Sequence, residues 1–199
     1  MKTVFTVLMM SLGLSAMAQG YKIGDKVKDF TLKNVDGNMI SLETGREAKG
    51  AIVVFTCNHC PFAQAYEQRI IDLDAKYAPL GYPVIAINPN DPVAVPEDSY
   101  GEMQKRATEK GYSFPYLIDE TQEVAKAFGA TRTPHTFVLQ LEKGKYVVRY
   151  IGAIDNNTES AEKATEKYVE KAVDALLNGK KVETTEVKAI GCTIKWKKS

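Results

Sequence analysis

The stretch that decides the fold is Ala51-Ile52-Val53-Val54-Phe55-Thr56-Cys57-Asn58-His59-Cys60-Pro61. Its five leading residues form a short apolar run, consistent with a strand buried on both faces. Beyond it the period changes. Phe62, Tyr66, Ile70, Leu73, Tyr77 and Leu80 recur at three and four, which predicts an amphipathic helix over 61–80 closed by Gly81. Pro61 suits the first helical turn, where its missing N–H costs nothing. Two cysteines, two residues apart, therefore sit at a strand-to-helix junction.

That junction has a chemical meaning. The unpaired amides and the positive dipole end of a helix favour thiolate over thiol, and the thiolate is the reactive species. Cys57 is expected to be the exposed attacker, and Cys60, inside the first turn, the shielded resolving thiol, the two closing a small disulfide ring. A protonatable His59 beside Cys57 would stabilise the thiolate and make the disulfide a better oxidant, with a potential above the value of about −270 mV typical of thioredoxin. These readings make Cys57, Cys60 and His59 the candidate catalytic residues.

Working outward, Phe30-Thr31-Leu32 and Met39 to Leu42 flank Asp36-Gly37, a hairpin signal. Val84 to Ile87 reads as the next buried strand, and Pro89, Pro92 and Pro96 make a loop after it. Ser99-Tyr100-Gly101-Glu102 matches a capping box for a helix ending near Gly111. Tyr116 to Asp119 reads as a strand and Thr121 to Phe128 as a short helix. Thr136 to Leu139 and Tyr146 to Ile151 are two strands around a turn, and Glu159 to Leu177 a long helix. Strands alternating with helices imply an α/β layered sheet, with an antiparallel edge from the closing β-β-α unit.

Met1 to Ala18 reads as a secretory signal peptide: Lys2, the apolar stretch Val4–Leu14, then Ala16-Met17-Ala18. The organisation expected is a leader at 1–18, a redox domain at 19–182 and a tail at 183–199 carrying Cys192. The site of action is then the periplasm or outside the cell. With 26 basic and 25 acidic side chains the chain has no electrostatic footprint for nucleic acid. No segment after the leader reaches membrane-spanning length. Three cysteines are too few for a disulfide-dense scaffold and odd for a fully paired secreted protein.

Thr131-Arg132-Thr133-Pro134-His135 precedes a strand some seventy residues after the cysteine pair. Strand–CxxC–helix followed by Thr-Pro at a strand start resembles the thioredoxin superfamily. The N-terminal hairpin and the Pro89–Pro96 insertion resemble its peroxiredoxin-like (AhpC/TSA-like) and periplasmic thioredoxin branches. Phe114 to Asp119, Gly152 to Asn157 and Gly191 to Lys195 are similar to an exported bacterial redoxin subgroup. The resemblance implies a thioredoxin-like fold, a central mixed sheet flanked by helices. It also implies a cis peptide at Pro134 packed against the CxxC, leaving the Thr133 backbone free to pair with an extended substrate by strand addition. Thr133 and Pro134 are thus the candidate substrate-binding residues, and protein thiols or disulfides, with a redox partner, the expected partners. No cofactor and no metal enter this reading.

Several positions depart from the family patterns. The peroxiredoxin P-x-x-x-T-x-x-C register would put Val53 and Cys57, or Gly50 and Val54, at its proline and threonine, so a peroxide-activating pocket is not evident. Thr56 stands where thioredoxins carry tryptophan, and Ala51 where many carry a buried acid. The favoured activity is thiol–disulfide exchange. A thiol peroxidase using the same cysteines is the alternative, and a copper-binding protein using the cysteines with His59 or His135 a second one. Cys192 is read first as a buried inert thiol, and otherwise as a third redox cysteine exchanging with Cys57 or a thiol pairing between chains.

Overall fold

The computed structural model describes residues 20–44 and 48–198; the expected leader at 1–18 lies outside them. The strands are β1 (Thr31–Asn34), β2 (Met39–Ser41), β3 (Gly50–Phe55), β4 (Val84–Asn88), β5 (Tyr116–Ile118), β6 (Arg132–Thr133), β7 (His135–Glu142), β8 (Lys145–Gly152) and β9 (Cys192–Thr193). The helices are α1 (Pro61–Tyr77), α2 (Tyr100–Lys110), α3 (Glu123–Phe128) and α4 (Tyr168–Leu177). Seven strands make one sheet in the order β2-β1-β5-β4-β3-β7-β8, and β6 pairs with β9 separately.

All six residues of β3 are buried, as the apolar run requires of a strand covered on both faces. β4 and β5 run parallel to it and β7 antiparallel, while the hairpin β1–β2 joins the β5 edge antiparallel. Alternate side chains feed two cores. Ile52 and Val54 meet Tyr66, Ile70 and Tyr77 of α1, Met103 of α2 and Val169 and Val173 of α4. Val53 and Phe55 meet Phe128 of α3, Val27 and Ile194 on the opposite face. The result is a mixed sheet flanked by helices, the thioredoxin-like α/β architecture.

Local readings fail where side chains offer the backbone another partner. The helix expected from Glu159 starts only at Tyr168. Asn157 Oδ1 accepts the N–H groups of Glu159 and Ser160, and Asn156 Oδ1 that of Glu166, so short polar side chains hold 156–166 as a loop. Ser99 is the N-cap of α2 but makes no side-chain cap bond, and Glu102 pairs with Lys105 instead of closing a capping box. Phe62 and Leu80, counted in the α1 stripe, are exposed; the buried face holds Ala63, Tyr66, Ile70, Leu73 and Tyr77. The α-helical turns stop at Tyr77 and a 3-10 turn covers 78–80, with Gly81 left-handed after it.

The tail is part of the fold. It first runs beside β8, where the Ile151 N–H donates to the Thr185 carbonyl and the Val187 N–H to that of Ile151. A Cβ at Gly152 would lie 2.0 Å from the Val187 carbonyl oxygen, so this approach requires glycine. It then crosses to β6, and is held beyond by Asn90 Oδ1 accepting the Lys195 N–H at 2.9 Å and Gln122 Oε1 accepting that of Lys197 at 2.8 Å.

Candidate active site

Parallel strands deliver their following loops to one end of a sheet. β3 therefore carries Cys57 to the same end at which β4 releases residues 89–98, and β7 begins beside it in antiparallel sense. Cys60 is the N-cap of α1 with Pro61 at the first helical position, and its carbonyl accepts the Gln64 N–H. The Thr133–Pro134 peptide is cis. Thr133 touches both sulfurs: its Oγ1 lies 3.2 Å from Cys57 Sγ and its carbonyl oxygen 3.3 Å from Cys60 Sγ. The sequence-predicted Cys57, His59, Cys60, Thr133 and Pro134 thus meet in one place.

The pairing of the cysteines differs from the expected CxxC ring. Cys60 is bonded to Cys192, with Cα atoms 6.1 Å apart, and Cys57 is a free thiol. Cys192 is half-buried and joined to Cys60, so the first reading of it as a buried inert thiol is corrected. The reason is strand pairing 132 residues away from the motif: β9 runs antiparallel to β6, with Thr133 opposite Cys192 and Arg132 opposite Thr193. The Thr133 edge, expected to be open for substrate, is occupied by the chain's own tail.

Cys57 also differs in accessibility and charge. It is 4% exposed instead of the open attacker expected. Backbone N–H groups of Cys60 and His59 and the Thr133 hydroxyl favour its thiolate, as the helix start predicts. Burial and the nearby Asp98 carboxylate outweigh them and push the thiol up to about 11. His59 does not reverse this, because its Nδ1 is 2.5 Å from Asp98 Oδ2 and 3.7 Å from Cys57 Sγ. His59 thus stands between the Cys57 thiol and the Asp98 carboxylate, nearer the carboxylate.

Asp98 is the residue that sequence reasoning missed. Its side chain is fully buried, and Oδ1 accepts the N–H groups of Asn58 at 2.7 Å and His59 at 3.1 Å while Oδ2 accepts Asn90 Nδ2 at 2.7 Å. It holds the loop between the cysteines by its backbone. The Asn58 side chain secures the same loop, accepting from Tyr116 Oη and donating to the Glu97 carbonyl. A signal existed: a polar loop leaving β4, parallel to the strand that leads into Cys57, must emerge beside that cysteine.

Among the described residues, Cys57, His59 and Asp98 bring one sulfur, one nitrogen and one oxygen within 4.8 Å of one another, a set that could hold a metal ion. His135 is not in that set. It is buried, accepts from the Thr131 N–H at 3.4 Å and leans on Phe137. Burial and the Arg132 charge push it down to about 4. Arg132 itself turns to the tail, donating to the Gly191 carbonyl at 2.9 Å.

The profile of the AhpC/TSA family matches residues 23–154. Over 133 residues the chain is 27% identical to the thiol-disulfide oxidoreductase ResA of Halalkalibacterium halodurans, covering 67% of this chain and 70% of that protein. A crystal structure of an uncharacterized conserved protein from Geobacillus kaustophilus superposes with a TM-score of 0.82 at 39% identity, covering 89% of this chain and 94% of that one. A hypothetical protein from Sinorhizobium meliloti 1021 gives 0.83 at 35% identity, covering 91% and 98%.

Proposed function

The chain belongs to the AhpC/TSA family, and from that premise we propose that it is an exported thiol–disulfide oxidoreductase whose Cys57 exchanges with disulfides of protein substrates and whose Cys60 resolves the mixed disulfide. One observation carries this reading: a free thiol at the β3–α1 junction lies beside a second cysteine, with Thr133 of the cis Thr133–Pro134 peptide in contact with both sulfurs. Similarity to ResA, a thiol-disulfide oxidoreductase by name, supports the reaction class. The leader read at residues 1–18 supports action in the periplasm or outside the cell, where a disulfide persists. No helix among the described residues is long and apolar enough to cross a membrane.

In mechanism, thiols of the redox partner first reduce Cys60–Cys192 and are themselves oxidised, and Cys57 as thiolate then attacks one sulfur of the substrate disulfide. The Cys57–substrate bond forms, and the other substrate sulfur leaves as a thiolate and takes up a proton. Cys60 as thiolate then attacks Cys57 Sγ, which forms the Cys57–Cys60 disulfide and releases the second substrate thiol. The substrate is reduced by two electrons and the pair oxidised. Burial and the Asp98 carboxylate disfavour the Cys57 thiolate, so a smaller fraction of the thiol is nucleophilic at neutral pH.

The peroxidase reading is weaker because Arg132, the cation that could have faced the sulfur, is turned to the Gly191 carbonyl. The copper reading retains Cys57 and His59, joined by Asp98, but loses His135, which lies outside that set. The test is turnover of a peptide disulfide by the dithiothreitol-reduced protein. Cys57→Ser is expected to abolish it and Cys60→Ser to accumulate the mixed disulfide. Full turnover by Cys57→Ser sinks the assignment, and rapid sulfenic acid on Cys57 at micromolar peroxide redirects it to a peroxidase.

A further inference from the structure

The tail occupies the place at which an extended substrate would pair. Cys192 stands opposite Thr133 in an antiparallel ladder, and the Ile194 N–H reaches the Thr131 carbonyl. A Cβ on Gly191 would lie 2.2 Å from the Thr133 carbonyl oxygen, so the tail can lie this close only because residue 191 has no side chain. Cys192 packs against the cluster of Cys57, Cys60 and Ala63. The ladder is two residues long, whereas β7 and β8 pair along eight residues each, so the rungs at Arg132 and Thr133 can open while buried Ile194 and the bonds to the Lys195 and Lys197 N–H groups keep the end of the tail anchored. A short, glycine-dependent strand that presents a cysteine to the cis-proline edge has the form of a bound substrate.

We propose that Gly191–Lys195 is an internal substrate mimic and that Cys192 trades places with Cys57 as the disulfide partner of Cys60. The inference deepens the oxidoreductase reading and rests on it for the meaning of the edge. The chain then alternates between two isomers. In the closed one Cys60 is bonded to Cys192, Cys57 is a free thiol, and the Thr133 edge is filled. In the open one Cys57 is bonded to Cys60, Cys192 is a free thiol, and the edge is available to an extended segment of a partner protein.

The interconversion balances without an outside oxidant. Cys57 loses its proton to solvent and attacks Cys60 Sγ; the Cys57–Cys60 bond forms and the Cys60–Cys192 bond breaks. The electron pair leaves with Cys192, whose thiolate takes up a proton. One disulfide and one thiol enter, and one of each leaves. The class of substrate selected is a polypeptide able to add as a strand, in competition with the tail.

The experiment is disulfide mapping of the full chain after alkylation with N-ethylmaleimide under native conditions, with no reductant or at graded glutathione potentials. Wild type is expected to contain both isomers, in a ratio that does not follow the glutathione potential, because no net redox change separates them. Cys57→Ser should hold only Cys60–Cys192 and Cys192→Ser only Cys57–Cys60. Gly191→Ala keeps all three thiols and should shift the ratio toward Cys57–Cys60 by about tenfold, the effect of losing one or two ladder hydrogen bonds. It should also lower the KM of the dithiothreitol-reduced protein for a strand-forming peptide disulfide by a larger factor than for glutathione disulfide.

Two results would overturn the proposal. One is a Cys192 that native wild type never exposes to alkylation, as in Cys57→Ser, which makes the bond a fixed staple. The other is an isomer ratio that Gly191→Ala leaves unmoved. Circular dichroism of each variant identifies a folding failure, and Gly191→Ala tests the strand without removing a thiol. Isomer exchange that persists in a protein inert toward both disulfides supports the internal exchange and overturns the oxidoreductase reading, so the two can fail separately.

Discussion

The chain has two histidines, His59 between Cys57 and Cys60 and His135 directly after the cis proline. They are chemically opposite. His59 is partly exposed and meets a buried carboxylate, with Nδ1 2.5 Å from Asp98 Oδ2. His135 is enclosed, accepts a backbone N–H through Nδ1, and has the Arg132 cation as its nearby charge. One imidazole has an anion to answer its charge, and the other has burial and a like charge against it. An imidazole beside a thiol thus does not by itself set the charge there. Burial weighs most at Cys57, and the third group, Asp98, adds to it by opposing the thiolate.

The largest expected effect that tests this contrast concerns His135. Its folded value is pushed down to about 4 from an ordinary 6.5. The unfolded chain takes up a proton below 6.5 that the folded chain refuses. The contribution is therefore fully present above that pH and lost as pH falls toward 4. Between those limits the folding equilibrium should weaken by up to about tenfold per pH unit. Denaturant midpoints measured from pH 7 to 4 should fall in wild type and flatten over that window in His135→Gln. A parallel loss in the variant would show that other groups carry the acid sensitivity.

The second effect, about tenfold, separates Asp98 from His59. The charged and titratable groups acting on Cys57 are Asp98, His59 and Tyr116. Asp98→Asn removes the anion and keeps an oxygen for the Asn58 and His59 amides. The alkylation profile of Cys57 should then inflect below about 11, and alkylation at pH 8 should quicken by about tenfold, one unit of thiol acidity. An unchanged profile would mean that burial alone sets the reactivity. The Cys192→Ser background keeps the tail exchange from complicating the measurement only if Cys57 is first reduced.

The smallest effect is that of His59→Gln. Because Asp98 holds the loop through the backbone N–H groups of Asn58 and His59, the loop should keep its shape without the imidazole. Alkylation of Cys57 should change by less than about threefold, the scale of a partly exposed charge interaction of several tenths of a kcal/mol. A change equal to that of Asp98→Asn would restore the histidine as the controlling group and erase the contrast drawn above.

The sequence by itself determined the elements whose cause is local. The apolar run Ala51–Phe55, the three-and-four spacing from Tyr66 to Tyr77 and the Asp36-Gly37 turn each encode one element through backbone and burial periodicity, and their order yields the α/β sheet. The cysteine motif at the strand-to-helix junction located the site, and the resemblance supplied Thr133 and Pro134. Where short polar side chains compete for the backbone, as at Asn156 and Asn157, periodicity misjudged the start of α4.

What only the tertiary structure decided is who meets those cysteines. Cys60 finds its partner 132 residues away, on a strand of two residues whose position depends on a glycine, an arginine and the Asn90 and Gln122 side chains. Cys57 is held as a thiol first by burial and then by Asp98, brought from a proline-rich loop because two parallel strands end side by side. Helix and strand propensities act over a few residues. Burial and charge act through space, so the sequence could place the reactive sulfurs but not say which would be bonded or which would be charged.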